Sequence, residues 1–389
     1  MTDVTGETLR LWRESKVWDV PRMACELRKA ARDPGDDVAA HHGLVKMIPQ
    51  WGPKPFVSRR MRGTQSMIMG FDRWPLTPGD AREWAALLTA IQEADRSDEY
   101  ASEQDLQEAF DQPDQDFASG SIAVCDGRTM VAYGVLTRRS VAEAVHNMRH
   151  EGGVHPSYRG RGLGGQLLDW AEQTAVPLHD DRFPGRPLSL SSGCLSRNAG
   201  AVALHEQRRY HPVRRFHTMV RDLSAAIPEA VIPAGVEVIG YTPEKTEDAL
   251  LVRNEAFRDH WESTETSTQS WEHFLASTAF RPGLSFLAYE GSEPLGMLIS
   301  REYDVYNTKT GHRDLHIALV GTRAAGRKRG IATALLVTAM SAARADGYDQ
   351  ASLGVDVYSL TGAVRLYERA GFTVALTWTA YRKQLTWRP

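Results

Sequence analysis

The strongest constraint on this chain is that it carries one pattern twice. Residues 154–165 read VHPSYRGRGLGG and residues 320–332 read VGTRAAGRKRGIA. Each begins at the end of a short apolar stretch, turns, presents Arg-x-x-Gly-x-Gly or Ala, and runs into a helix. The first helix would place Leu163, Leu167, Leu168, Ala171 and Ala175 on one face. The second does the same with Leu335, Leu336, Ala339, Met340 and Ala343, the spacing of a helix packed on one side. A second landmark follows each: NAGAVALHEQRRY at 198–210 and TGAVRLYERAGF at 361–372. Gly162 and Gly330 are 168 residues apart, and His205 and Tyr367 are 162 apart. Two landmarks at nearly one offset identify a duplicated domain. Upstream of each pair, 121–136 and 284–300 read as hairpins that turn at an acidic residue and Gly.

Pro228, Pro233 and Gly235 punctuate the boundary, so the copies span 66–223 and 236–389. Residues 1–65 stand outside the repeat as an extension. It is partly helical by its Asp19-Val20-Pro21 start and its stripe of Val20, Met23, Leu27 and Ala31. Forty-six Lys and Arg against 49 Asp and Glu leave a net charge of −3, so nucleic acid is not expected as the principal partner. The local basic run at 54–62, KPFVSRRMR, reads as a solvated linker. No apolar run approaches the ~18 residues a bilayer span needs, and the first residues are too polar for a signal peptide. A cytoplasmic protein with no membrane contact is expected. Cys25, Cys125 and Cys194 are too few and too scattered for a disulfide framework and read as reduced core residues.

Backbone N–H groups at a helix start lack partners and sit at the positive end of the helix dipole, so they bind anions. Glycines admit a phosphate to that backbone, and Arg159, Arg161, Arg327 and Arg329 add charge. A pyrophosphate is the natural ligand. Gly160, Gly162 and Gly165 with Asp180 also satisfy a dinucleotide-binding fingerprint. In that arrangement, however, a strand feeds almost directly into the first glycine. Here His155 to Arg159 intervene, and the second copy has no such fingerprint, so a nicotinamide cofactor is set aside.

The pattern V-x-P-x-x-R-G-x-G-x-G followed by N-x-x-A-x-x-L-[YH]-E resembles the GNAT superfamily of acetyl-CoA-dependent N-acyltransferases, over about four-fifths of the chain. The resemblance implies an α+β fold: two tandem GNAT-like domains after a short N-terminal extension, each a mixed, mostly antiparallel sheet flanked by helices. It implies acetyl-CoA, or another acyl-CoA, as cofactor, entering where two neighbouring strands splay. The implied cofactor ligands in the first copy are Val154, Arg159, Gly160, Arg161, Gly162, Leu163 and Gly164, with Asn198 and His205. In the second they are Val320, Arg327, Lys328, Arg329, Gly330, Ile331 and Ala332, with Ser359 where relatives often have Asn. The tandem layout and the segment NEAFRDHWE (254–262) are similar to the two-domain mycothiol synthase group of that superfamily.

In the family a Tyr of the second landmark commonly protonates the leaving thiolate, and the resemblance puts Tyr367 there. A phenol of ordinary pKa ~10 is protonated at neutral pH and can donate. The first copy has His205 in that place and Arg209 where the second has Gly371, so it reads as a CoA-binding domain degenerate in catalysis. His316 and Asp314, beside the strand HIALV (316–320), are candidates for the general base, with an ordinary strand residue the alternative for each. Glu255, Asp259, Glu262 and Glu265 lie beside His260, Trp261 and Trp271. Acidic groups around an aromatic wall suit an amine cation, so Glu255, Asp259, Trp261 and Glu262 are the expected substrate residues. His146, His150 and His155 complete no ligand set, and no metal is expected. The function read here is acetyl transfer to a primary amine of a small molecule by direct attack on the thioester. A non-catalytic CoA-binding or interaction module stays open, as does a transferase acting on a carrier- or RNA-linked substrate.

Overall fold

In the computed structural model, residues 70–386 are described, except 98–99, 114, 139–143, 259 and 360–361. The expected helix near residues 20–31, Cys25, the basic run 54–62 and Asp259 lie outside the described residues.

The first copy runs β1 (Asp72–Trp74), α1 (Ala81–Asp95), α2 (Glu103–Phe110), α3 (Phe117–Gly120), β2 (Ser121–Asp126), β3 (Thr129–Thr137), β4 (His146–Val154), α4 (Leu163–Arg182), β5 (Leu188–Leu195), α5 (Ala199–Gln207) and β6 (His211–Asp222). The second runs β7 (Glu237–Gly240), α6 (Thr246–Ala256), α7 (Thr268–Ala276), β8 (Phe286–Glu290), β9 (Glu293–Arg301), α8 (Asp304–Thr310), β10 (Asp314–Thr322), α9 (Ile331–Ala345), β11 (Gln350–Asp356), α10 (Ala363–Arg369) and β12 (Thr373–Thr386). Local chemistry sets several of these boundaries. Ser102 accepts the Asp105 N–H while Asp105 answers the Ser102 N–H, a reciprocal cap that starts α2. Asn198 caps α5 by accepting from Ala201 N. The two expected hairpins, β2–β3 and β8–β9, turn at Gly127 (φ +61°) and Gly291 (φ +60°).

The twelve strands of the described residues form one sheet in the order β1-β2-β3-β4-β5-β12-β6-β11-β10-β9-β8-β7. It is antiparallel except for the pairs β4–β5 and β10–β11. The sheet does not close within either copy, because the last strands are exchanged. β6 pairs along β11 of the second copy, from Gln350–Asp222 to Asp356–Phe216. β12 returns to pair with β5 of the first copy, and β6 and β12 pair with each other at the centre.

Strand alternation sends the two faces to different helices. In the second copy Leu315, Ile317, Leu353 and Val355 pack with α9, Tyr367 and Phe372 on one face. Leu287, Met297 and Ile299 pack with Ala249, Val252 and Trp271 of α6 and α7 on the other. In the first copy Leu188, Leu190 and Cys194 pack with Leu168, Ala171 and Ala175 of α4. Ala123, Cys125 and Met130 pack with Trp84, Leu87 and Leu106 of α1 and α2.

Two breaks in the sheet prepare a site. β4 and β5 pair only from His146–Leu188 to Arg149–Ser191, although both strands continue beyond. β10 and β11 likewise pair only from Asp314–Gln350 to Ile317–Leu353, and then part. In the second copy alone a bulge accompanies the parting. The β9–β10 register shifts between Ile317 and Leu319, leaving Ala318 as the extra residue, whereas β4 runs along β3 without a shift. A bulge reverses the facing of the residues after it, which brings Leu319 onto the α6–α7 side.

Candidate active site

The two clefts open into one cavity of about 2040 Å³. Both Arg-rich turns reach its wall, as do the parted ends of β4, β5, β10 and β11 and the exchanged strands β6 and β12. Each turn delivers a helix start whose N-cap, the residue just before the helix, is a left-handed glycine, Gly162 at φ +84° and Gly330 at φ +89°. Two residues earlier the backbone is left-handed again, at Gly160 (φ +75°) and Lys328 (φ +62°). Alternating handedness points successive N–H groups into one concavity, a nest whose geometry suits an anion at the positive end of the helix dipole.

Of the expected cofactor ligands, Val154, Arg159, Gly160, Gly162, Leu163, Gly164, Asn198 and His205 line the cavity, as do Val320, Arg327, Lys328, Gly330, Ile331, Ala332 and Ser359. Arg161 and Arg329 are not part of that lining. Arg329 grips Glu290 with both terminal nitrogens, at 3.1 and 2.6 Å, and Arg161 lies 4.8 Å over the Tyr158 ring. Arg159, although at the wall, is clamped by both oxygens of Asp95 at 2.6 and 2.8 Å. These guanidiniums hold the turns in place against neighbouring elements.

The two clefts differ in what fills them. In the first, His150 and His205, each 5% exposed, converge on Ser192. His205 Nδ1 is 2.7 Å from the carbonyl of Ala201, which fixes the proton on that nitrogen and leaves Nε2 to accept from Ser192 Oγ at 3.1 Å. His150 Nδ1 is 3.4 Å from the same hydroxyl. Burial lowers the pKa of both rings, that of His150 to about 3. The second cleft is apolar at this level: Ile317, Leu353 and Val355 surround Tyr367, 8% exposed, whose phenol burial pushes up to about 12. Arg209 does not enter the first cleft's chemistry. At φ +62° it occupies the same left-handed turn as Gly371 at φ +87°, so it is a strained turn residue.

The expected base and acceptor residues separate. His316 sits on β10 beneath the cleft and is not part of the cavity wall. Ser352 Oγ donates to Asp314 Oδ2 at 2.6 Å and lies 3.1 Å from His316 Nδ1, so it accepts the N–H of that ring. Burial and the Arg301 charge take the imidazole down to about 4, so it is neutral at pH 7, and burial raises the Asp314 carboxyl. Glu255 also stands apart from the cavity. Arg323 holds both its oxygens, at 2.8 and 3.2 Å, and keeps its carboxyl below the usual range. Trp271 is core rather than wall, stacked on Phe274 at 5.3 Å with its indole N–H donated to Thr246 O. Glu265 is exposed, whereas His260, Trp261 and Glu262 do line the cavity. Glu262 bonds Ser191 Oγ at 3.2 Å and Arg382, so the loop after α6 is fastened across β5 and β12.

Two cavity residues have no signal in the local sequence. Arg214 arrives on the exchanged strand β6, and Asp356 ends β11. Arg214 lies 5.6 Å from the Trp261 ring and 3.9 Å from Asp356. His146 and His155 serve local structure. His146 Nδ1 is 2.9 Å from His179 Nδ1, and His155 Nδ1 accepts from Ser157 N.

The acetyltransferase (GNAT) family model matches residues 84–209 and again 251–372. A mycothiol acetyltransferase of Thermobispora bispora is 31% identical over 235 residues, 59% of this chain and 74% of that protein. One from Streptosporangium roseum is 28% identical over 344 residues, 78% of this chain and 97% of that protein. Among solved structures, a GCN5-related N-acetyltransferase from Sphaerobacter thermophilus superposes with a TM-score of 0.67 at 26% identity, covering 83% of this chain and 98% of that one. A tandem GNAT protein from the clavulanic acid biosynthesis pathway shares the fold at TM-score 0.61 and 15% identity, covering 82% and 100%.

Proposed function

The chain belongs to the acetyltransferase (GNAT) family and is an acyltransferase, and from that premise we propose that its second copy, 236–389, transfers an acetyl group from acetyl-CoA to the primary amine of a small molecule. The single observation that carries this is Tyr367, a buried phenol on the wall of a parted, apolar cleft headed by an anion-binding helix start.

An acyl-CoA supplies the activated acyl carbon and a thiolate leaving group. The N–H groups of Gly330, Ile331 and Ala332 would hold its pyrophosphate. The bulge at Ala318 takes backbone out of the β9 ladder just where a carbonyl must be polarised. Tyr367 Oη keeps its proton through the physiological range, because burial disfavours the phenolate, and can pass it to the departing sulfur. Ile317, Leu353 and Val355 give the cleft around that phenol an apolar lining.

The first copy, 66–223, keeps the nest but fills its cleft with His150, Ser192 and His205, which supports a cofactor-binding domain without transfer. Residues 1–65 form the extension. No helix among the described residues is long and apolar enough to cross a membrane. The name of the relatives, mycothiol acetyltransferase, adds mycothiol-type amines to the acceptors worth testing.

The test is CoA release from acetyl-CoA across amino sugars, amino acids, polyamines and mycothiol-type amines. Release above the amine-free rate with one class supports the reading. A flat response across the panel contradicts it and favours a CoA-binding module.

A further inference from the structure

Strand alternation gives the second cleft two chemically different sides. Leu353 and Val355 pack on the side of Tyr367 and α9, so Asp356, the next residue along β11, points to the opposite face. There it meets Phe216, its partner in the β6 ladder, and Arg214, two residues further along β6 on the same side. The loop after α6 lies over them: the Trp261 ring is 5.8 Å from Phe216, 5.6 Å from the Arg214 guanidinium and 5.2 Å from that of Arg382.

Asp356 is only 4% exposed but lines the cavity. One of its oxygens accepts the Tyr358 N–H at 2.9 Å. The other is 3.9 Å from Arg214 Nη1, too far for a hydrogen bond. A sheltered carboxylate with an oxygen open to a cavity attracts an ammonium and can accept its proton. Across that 3.9 Å gap, Arg214 is a donor with no acceptor of its own at bonding distance on Asp356.

Building on the transferase reading above, we infer that Asp356 and Arg214 form the acceptor site, Asp356 receiving the ammonium and its proton and Arg214 receiving an oxygen of the same molecule. The acceptor class is therefore a primary amine with a carbonyl, carboxylate or hydroxyl oxygen a few bonds away. A polyamine is disfavoured, because the Arg214 guanidinium, which has no hydrogen bond to Asp356, repels a second cation beside Trp261, whereas Arg382 is already paired with Glu262.

The protons balance. The ammonium gives one proton to Asp356, and the freed nitrogen pair forms the C–N bond to the acyl carbon. The C–S bond breaks, its electron pair leaves on sulfur, and the thiolate takes the Tyr367 proton. The second nitrogen proton replaces the one lost from the phenol, and Asp356 releases its own to solvent.

The test uses the full-length chain with acetyl-CoA and three amines: glycinamide, propylamine and spermidine. Wild type should favour glycinamide over both others by about ten-fold or more in kcat/KM. Asp356→Asn should lower kcat/KM for glycinamide about 100-fold with the acetyl-CoA KM within about two-fold. Asp356→Ala should regain part of the loss in formate, which supplies the missing carboxylate; a residue that only supports the fold gives no such rescue. Arg214→Ala should reduce the preference for glycinamide over propylamine about ten-fold. A preference for spermidine, or Asp356→Asn within about three-fold of wild type, overturns this inference while leaving the transferase intact. No amine-dependent CoA release from wild type with any of the three overturns this inference, and a flat response across the wider amine panel as well removes the transferase reading with it.

Discussion

Asp356 pairs with Phe216 in the ladder between β11 and β6, so the second copy's cleft is completed by a strand that the first copy supplies. The reverse also holds: Tyr381 of β12 pairs with Ser192 of β5, beside the histidines of the first cleft. Each copy thus lacks an interior strand without the other.

Exchange of that kind makes the copies depend on one another for folding. A fragment of residues 66–223 would present the bare edge of β5 and leave β6 without either neighbour. The intact chain should melt in one cooperative transition. The separate fragments 66–223 and 236–389 should remain unfolded or aggregate alone and co-purify when expressed together. Calorimetry and size exclusion check this, and two independent transitions would show that the copies fold separately.

Tyr367→Phe keeps the ring against Phe372 and removes only the hydroxyl. Loss of a positioned proton donor should lower kcat about 100-fold with little change in the KM for acetyl-CoA. Because burial holds the phenol at about 12, its ionisation should leave no limb in the wild-type pH–rate profile below about pH 10. Steady-state kinetics from pH 6 to pH 10 check both.

His150 gives stability a defined pH dependence. Its folded pKa is about 3 against an ordinary 6.5, because burial disfavours the charged ring. Below pH 6.5 the unfolded chain takes up a proton that the folded chain refuses, so stability falls by about 1.4 kcal/mol per pH unit until about pH 3. Above pH 6.5 the contribution is constant. His150→Leu removes this term, so the drop in Tm between pH 7.5 and pH 5 should be smaller in the variant than in wild type.

The sequence made the duplication, the hairpins and the two helix starts readable, since glycines that permit left-handed backbone and the 3.6-residue apolar period are local signals. Strand exchange is a pairing between distant segments with identical local requirements, so nothing in β6 or β12 announces it. The same limit hid Arg214, whose neighbours Asp356 and Trp261 come from the other copy. The arginine roles were only half legible. Charge beside a helix start suggests phosphate, but which guanidinium is already taken depends on Asp95 at the end of α1 and Glu290 at the end of β8. Glu255 was misplaced for the same reason, since the partner that holds it, Arg323, lies 68 residues away.

The assignment of chemistry to the second copy is tested most directly by matched substitutions at the two helix starts. Gly162 and Gly330 share a left-handed φ, +84° and +89°. A Cβ at Gly330 would meet nothing within 4 Å, and one at Gly162 only the Gln166 side chain at 3.6 Å. A β-branched residue therefore strains both backbones to a similar degree, about 1–3 kcal/mol. Amine-dependent CoA release should survive Gly162→Val and be lost, or show a KM for acetyl-CoA raised about ten-fold or more, in Gly330→Val. Loss in Gly162→Val with full activity in Gly330→Val would place the chemistry in the first copy and contradict the account.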